Sequence, residues 1–231
     1  MRTPSRTLPS PWRCILALVL GALLGGRGRR WLYGGLLGYK IGRTATLGIS
    51  FIRVAHLVMA PGSSIGHFTV IRNLHSLRLE AGSSIGTFNW IFGMIGADHF
   101  ADKADRVSEL VMEEESALTS RHIVDCTDRV VVGAFSTIAG YHSQILTHGI
   151  DVGDNRQRSN PVVVGRHCLI GTGVILVKGA VVPDGSVVGA GSVFRGRPGK
   201  THYLYSGVPA EPVQPLSPES AYFTRTRGAV T

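Results

Sequence analysis

Three cysteines, Cys14, Cys126 and Cys168, are too few and too scattered for a disulfide scaffold, and no two form a CxxC pair. They fit a reducing compartment. The chain also lacks an apolar run of the roughly twenty residues that would cross a bilayer. It has no RNP-like aromatic motif, no zinc-finger spacing and no basic helix, so its net charge of +9 does not by itself argue for nucleic-acid recognition. Seven of the basic residues, Arg2, Arg6, Arg13, Arg27, Arg29, Arg30 and Lys40, instead lie in the first forty positions, on either side of a short apolar stretch.

Glycine is what the chain has in excess. Thirty in 231 residues exceed the usual share of about 7%, and their regular spacing argues for tight corners rather than disorder. Between Val164 and Val193 the sequence repeats every six residues. The aliphatic series is Val164, Ile170, Leu176, Val182 and Val188, and its partner series is Cys168, Val174, Ala180, Ser186 and Ser192. Six residues fit one short strand and a turn, and three such units close a coil of about eighteen residues in a parallel β-helix.

Upstream, Ile41, Leu47, Met59, Ile65, Ile71 and Leu77 hold the same phase, with Arg53 in an aliphatic position. The stretch Gly62–Gly66 returns twenty residues later as Gly82–Gly86, which is one coil plus a two-residue bulge. A third run, from Val132 through Ile138 to Gln144, resumes the count before a break near His148. With 44% hydrophobic and 17% charged residues, the chain can bury one continuous core. The expected organisation is an N-terminal apolar and basic segment over residues 1–40, a β-helix over 41–213 and a tail over 214–231.

The apolar stretch from Cys14 to Leu24 admits three readings. It is a helix capping the open end of the solenoid, a helix lying on an anionic membrane surface, or a secretory signal. Arg27, Arg29 and Arg30 follow it at once, which is unfavourable for export.

Two segments leave the repeat. From Asp98 to Ser116 the chain is charged and reads as helix, with Glu109 and Glu113 to Glu115 on a solvated face. From Gly149 to Pro161 it reads as a polar loop carrying Asp151, Asp154, Asn155, Arg156 and Arg158. Among His122, His142, His148 and His167, His148 stands where repeat gives way to loop, placed to take a proton near neutral pH.

Thr147–Asp151, Pro161–Gly165, the hexapeptide run, Gly189–Val193 and Ser206–Ala210 together resemble the hexapeptide-repeat O-acetyltransferases of sugars and polysaccharides, in the maltose and galactoside acetyltransferase branch. The resemblance implies an all-β, left-handed parallel β-helix with loop excursions, an exception to the right-handed rule for β crossovers. It implies a homotrimer with clefts between subunits, acetyl-coenzyme A as co-substrate, and a carbohydrate acceptor. His148 matches the family's catalytic histidine. Asp125 falls near its acceptor-binding carboxylate, although an upstream asparagine is missing, and satisfaction of turn amides is an equal alternative. His122 and Asp151 are further acceptor candidates.

Gly171, Lys178, Gly189, Arg195, Arg197 and Lys200 are the cofactor-binding candidates, the glycines for close approach and the cations for phosphate. No metal is implied by this reading. An alternative, a gamma-class carbonic anhydrase, would draw three nitrogens from His122, His142 and His148, and a catalytically silent scaffold is the third. Use of acetyl-coenzyme A would place the enzyme in the cytoplasm.

Overall fold

Every sixth residue or so turns inward, and the chain winds as a three-sided parallel β-helix. The computed structural model describes residues 7–96, 100, 105–196 and 199–228. One face is built by Thr46–Leu47, Ser64–Ile65, Ser84–Ile85, Ala117–Leu118, Thr137–Ile138, Leu169–Ile170, Val187–Val188 and Tyr203–Gly207, stacked in parallel. We call it the second face, because the chain reaches it after the strand Lys40–Ile41 of the first.

The inward column of the second face runs Leu47, Ile65, Ile85, Leu118, Ile138, Ile170, Val188 and Tyr205. None of these side chains is more than 2% exposed. At about 4.8 Å per coil they form a column about 34 Å long. Each aliphatic side chain finds apolar neighbours only in the coils above and below, so the core is continuous and one-dimensional.

Both downstream series behave as the periodicity requires, since Val164 to Val188 and Cys168 to Ser192 are all buried. Three of the buried serines close their own turns: Ser63, Ser83 and Ser116 donate to the carbonyls of Ala60, Glu80 and Glu113 at 2.7, 2.7 and 2.6 Å. Arg53 is accommodated because the step from Leu47 to the next face is one residue short, so that Ile52 pairs with Ile71 and is buried in its place. Its guanidinium reaches the Pro9 carbonyl and Asn73 Oδ1. Likewise Ile145, and not Gln144, is the buried member of its strand.

Irregularity collects on one edge of the prism. The third-face column is Ile52, Ile71, Ile91, Val124, Ile145 and Leu176, and the first-face column is Met59, Leu79, Met112, Val132, Val164 and Val182. Passing from one to the other takes 7 residues from Ile52 to Met59, 8 from Ile71 to Leu79 and 21 from Ile91 to Met112. It then takes 8 from Val124 to Val132, 19 from Ile145 to Val164 and 6 from Leu176 to Val182. Both excursions therefore leave from the same third-to-first edge.

Neither excursion has the structure expected of it. Glu109–Met112 is a strand, not part of a helix, because Leu110 and Met112 alternate inward against Leu77 and Leu79 of the preceding coil. Period-2 burial overrides the helical propensity of glutamate. Gly149 to Pro161 is largely an antiparallel hairpin, with His148–Asp151 paired to Arg156–Ser159. Asp98, at the start of the first excursion, lies outside the described residues.

Two helices close the N-terminal end, α1 (Pro11–Ala22) and α2 (Gly26–Leu37). Cys14, Ala17, Tyr33 and Leu37 join the solenoid core. Tyr33 donates to the Ser50 carbonyl at 2.7 Å and Arg29 to that of Leu47 at 2.7 Å, so the cap also satisfies backbone groups of the first coil. At the other end Tyr203–Gly207 turns through Val208 and Pro209 into an antiparallel partner, Ala210–Pro215. The tail then runs back along the first-to-second edge through a short helix, α3 (Ala221–Thr224). Tyr222 donates to the Cys168 carbonyl at 2.9 Å, and Glu115 accepts from the Gly228 amide at 2.7 Å. All three cysteines are free and buried.

Candidate active site

His148 emerges at the irregular edge, two residues past the strand Gln144–Leu146, and Asp125 sits directly beneath at the end of Ile123–Asp125. Parallel pairing of Asp125 with Leu146 brings the two together across adjacent coils. His148 Nδ1 lies 2.6 Å from Asp125 Oδ2. The aspartate is fully buried while the histidine side chain is 30% exposed. The pair thus has an inner member that positions and an outer member that can meet a substrate.

Asp125 is saturated. Oδ2 also accepts from the Thr147 amide at 2.9 Å, the Thr147 hydroxyl at 3.1 Å and the His148 amide at 3.1 Å, and Oδ1 accepts from the Thr127 amide at 2.9 Å. Burial pushes its carboxyl up, but the hydrogen bonds from His148 and Thr127 outweigh that, and it stays below its ordinary value. Its hydrogen bond to Asp125 raises the His148 pKa above 6.5 against the opposing effects of burial and of Lys178. With Nδ1 held by a carboxylate, Nε2 is left as the basic nitrogen.

Of the two roles expected for Asp125, acceptor carboxylate or partner of turn amides, these contacts are those of the second. Both its oxygens accept hydrogen bonds inside the protein, and from there its carboxylate can orient the His148 ring. His122 is likewise engaged within the chain: its Nε2 lies 2.9 Å from the Thr119 hydroxyl, and its Nδ1 accepts from the Ser143 amide at 3.1 Å. Burial, with the charge of His142, lowers its pKa to about 4, so it is a neutral turn residue at the second-to-third edge. Asp151 is exposed three residues along the hairpin from His148, where its carboxylate accepts from the Gly153 amide at 3.0 Å.

The cofactor candidates divide. Lys178 lies on the same edge as His148, one coil on; its Nζ is 3.6 Å from where a Cβ on Gly149 would stand. Arg195 follows the third-face strand Val193–Phe194 and is exposed on that edge one coil further. Lys200 is exposed, with its ammonium 4.9 Å from the Tyr203 ring centre. Arg197 lies outside the described residues. Gly171 and Gly189 are not brought to this edge. They stand at the second-to-third turn, where a Cβ would come within 2.8 Å of the Ala190 backbone and 3.1 Å of Ser206 Oγ. Coil stacking accounts for both glycines.

Phe100 was not foreseen. Fully buried, it meets the His148 ring edge to face at 6.3 Å between centres. The Arg106 guanidinium covers its other side at 4.6 Å and donates to the carbonyls of Met94 and Thr127 at 2.7 and 2.6 Å. Phe100 and Arg106 of the first excursion therefore wall the histidine that the second excursion presents. No repeat marks this contact in the sequence, since its members are 48 residues apart. Thr147 adds a second tie, accepting from the Asp128 amide at 2.9 Å.

The trio His122, His142 and His148 is not assembled within the chain, as the first two stand at the second-to-third edge and His148 at the third-to-first. Among the described residues no group of three or more His, Cys, Asp or Glu side chains is arranged to hold a metal ion.

No family model and no curated protein matches the chain. Solved structures do. The polysialic acid O-acetyltransferase OatWY superposes with a TM-score of 0.59 at 14% identity, over 81% of this chain and 90% of that one. A point mutant of AntD, an N-acyltransferase from Bacillus cereus in complex with dTDP-4-amino-4,6-dideoxyglucose and coenzyme A, gives 0.54 at 15% identity, over 78% and 86%. NeuO, a polySia-specific acetyltransferase, gives 0.54 at 13% identity, over 77% and 74%. At these identities the likeness concerns architecture, and in architecture this chain shares with them the left-handed parallel β-helix of hexapeptide repeats.

Proposed function

We propose that the protein transfers an acetyl group from acetyl-coenzyme A to a hydroxyl of a carbohydrate acceptor, with His148 as general base. The observation that carries this reading is the Asp125–His148 pair, half-open to solvent, on the one edge where the β-helix is interrupted. Its surroundings fit a phosphate-bearing thioester, because Lys178 and Arg195 continue the same edge beyond His148. Support also comes from the solved structures of this fold, which include an acyltransferase holding coenzyme A and two acetyltransferases described as acting on polysialic acid.

In the proposed reaction His148 Nε2 takes the proton of the acceptor hydroxyl as its oxygen attacks the thioester carbonyl. The carbon–sulfur bond then breaks, and the imidazolium returns the proton to the departing thiolate. Asp125 stays ionised throughout and stabilises the transient imidazolium. Phe100, itself held by Arg106, packs edge to face on the ring and limits its reorientation, so little reorganisation is needed as charge develops.

The reading includes a homotrimer and a cytoplasmic location. The third face, which borders the His148 edge, presents Trp90 and Ile123 side by side, 46% and 41% exposed, as an apolar surface for a second copy. Incubation with acetyl-coenzyme A and a panel of oligosaccharides, following free thiol, tests the activity. Acceptor-dependent thiol release with a mass gain of one acetyl group is the expected result. Thiol release that no carbohydrate accelerates would overturn the reading.

A further inference from the structure

The cap at the N-terminal end is built inside out for a helix that only seals a core. The face of α1 turned to the solenoid carries small residues, Cys14, Ala17 and Gly21, all buried. The large apolar residues point away from it: Trp12 is 78% exposed, Leu16 47%, Val19 56% and Leu23 83%, with Ile15 and Leu20 at 41% each. Positions 12, 15, 16, 19, 20 and 23 follow the helical period and make one continuous outward stripe. Trp31 of α2 is also 78% exposed. Sealing the β-helix uses none of these side chains.

Charge identifies what the stripe faces. The first 79 residues contain eleven Lys and Arg and no Asp or Glu; residues 80–231 contain the other thirteen basic residues and all fifteen acidic ones. The whole positive excess of the protein therefore lies in the part of the chain that carries the stripe. Arg13, Arg27, Lys40 and Arg43 are exposed there. An apolar helix face with interfacial tryptophans, rimmed by arginine and lysine without a counter-charge, matches the interface of a bilayer rich in anionic headgroups. Neither helix can cross it: twelve residues span about 18 Å against a hydrocarbon core of about 30 Å.

We propose that α1 and α2 dock the protein on an anionic phospholipid surface, with α1 lying in the interfacial plane and the β-helix standing off it. The proposal is independent of the reaction assigned to His148. Flotation of the full chain with phosphatidylcholine vesicles, with and without phosphatidylglycerol, tests it, together with a Trp12→Ser, Leu16→Ser, Val19→Ser, Leu23→Ser variant. All four positions face solvent, so the variant keeps the fold, checked by its circular dichroism and melting temperature. The expected result is flotation with the anionic vesicles, a blue-shifted tryptophan emission, and weakening by at least about tenfold in the variant, in neutral vesicles or at high salt. Failure of the wild-type chain to float at low salt would overturn the proposal. So would equal flotation of the folded variant, or a fall in oligomer size of the variant without any vesicle binding by the parent, which would assign the stripe to a second copy.

Discussion

Asp125 Oδ2 stands 2.6 Å from His148 Nδ1 and accepts three more hydrogen bonds, from the Thr147 amide and hydroxyl and from the His148 amide. One buried oxygen thereby fixes both the backbone that leads into the second excursion and the ring that the excursion presents. The hexapeptide repeat makes this possible, because adjacent coils hold the strand ends in register.

Asp125→Asn removes the charge that favours the correct tautomer and the imidazolium. Turnover should fall about 10²- to 10⁴-fold, and the pH at which the remaining activity rises should move down, since the hydrogen bond to Asp125 is the main cause of the raised His148 pKa. A pH profile of kcat/KM measures both; an unmoved profile would assign Asp125 to structure alone.

The same pair contributes to stability with opposite pH limits. The Asp125 carboxyl lies below its ordinary value, so its contribution is present above about pH 4 and is lost as pH falls through its folded pKa. His148 is shifted upward, so its contribution is complete below about pH 6.5 and is lost as pH rises through the folded value. Thermal melts of Asp125→Asn should therefore show a larger deficit near about pH 5.5 than near about pH 8.5.

His122 is expected to behave differently. Held neutral by burial with a pKa of about 4, it costs stability as pH drops from about 6.5 toward that value, because only the unfolded chain then takes up the proton. His122→Asn should destabilise by about 1–3 kcal/mol, through the lost contacts to Thr119 and Ser143, with the turnover of the folded fraction unchanged. Urea melts beside active-site-normalised rates check this.

Lys178→Ala should raise the KM for acetyl-coenzyme A about tenfold with a smaller effect on kcat. It should also move the His148 titration up, because the lysine charge opposes protonation of the ring. Titration of the single variant by NMR, alongside its kinetics, separates cofactor binding from a general effect on the fold.

Phe100→Ala opens the wall beside His148 and frees Arg106 from its aromatic partner. Turnover should drop about tenfold through loss of ring orientation, and Phe100→Leu should restore most packing without the ring contact. Equal activity of the alanine variant and the parent would remove Phe100 from the site.

The solenoid was legible because burial repeats: Val164 to Val188 and Cys168 to Ser192 fall inward with no exception. His148 was legible because it stands at a break in that rhythm, within a family-like motif. What the sequence hid lies wherever period no longer decides. A glutamate-rich run became the strand Glu109–Met112 because the preceding coil offered Leu77 and Leu79 as partners. Asp125, Phe100 and Arg106 took their positions from contacts between coils, and no local pattern encodes those. Gly171 and Gly189 looked like room for a ligand, whereas the neighbouring coil fills that room.

In the proposed reaction His148 removes the acceptor proton. The most direct test of this role is acetyl transfer by His148→Asn, with coenzyme A binding measured on the same preparation. Turnover should fall by at least about 10³-fold, with coenzyme A affinity within about twofold of the parent and an unchanged fold by circular dichroism. Transfer by the folded variant at a rate close to that of the parent would contradict the role.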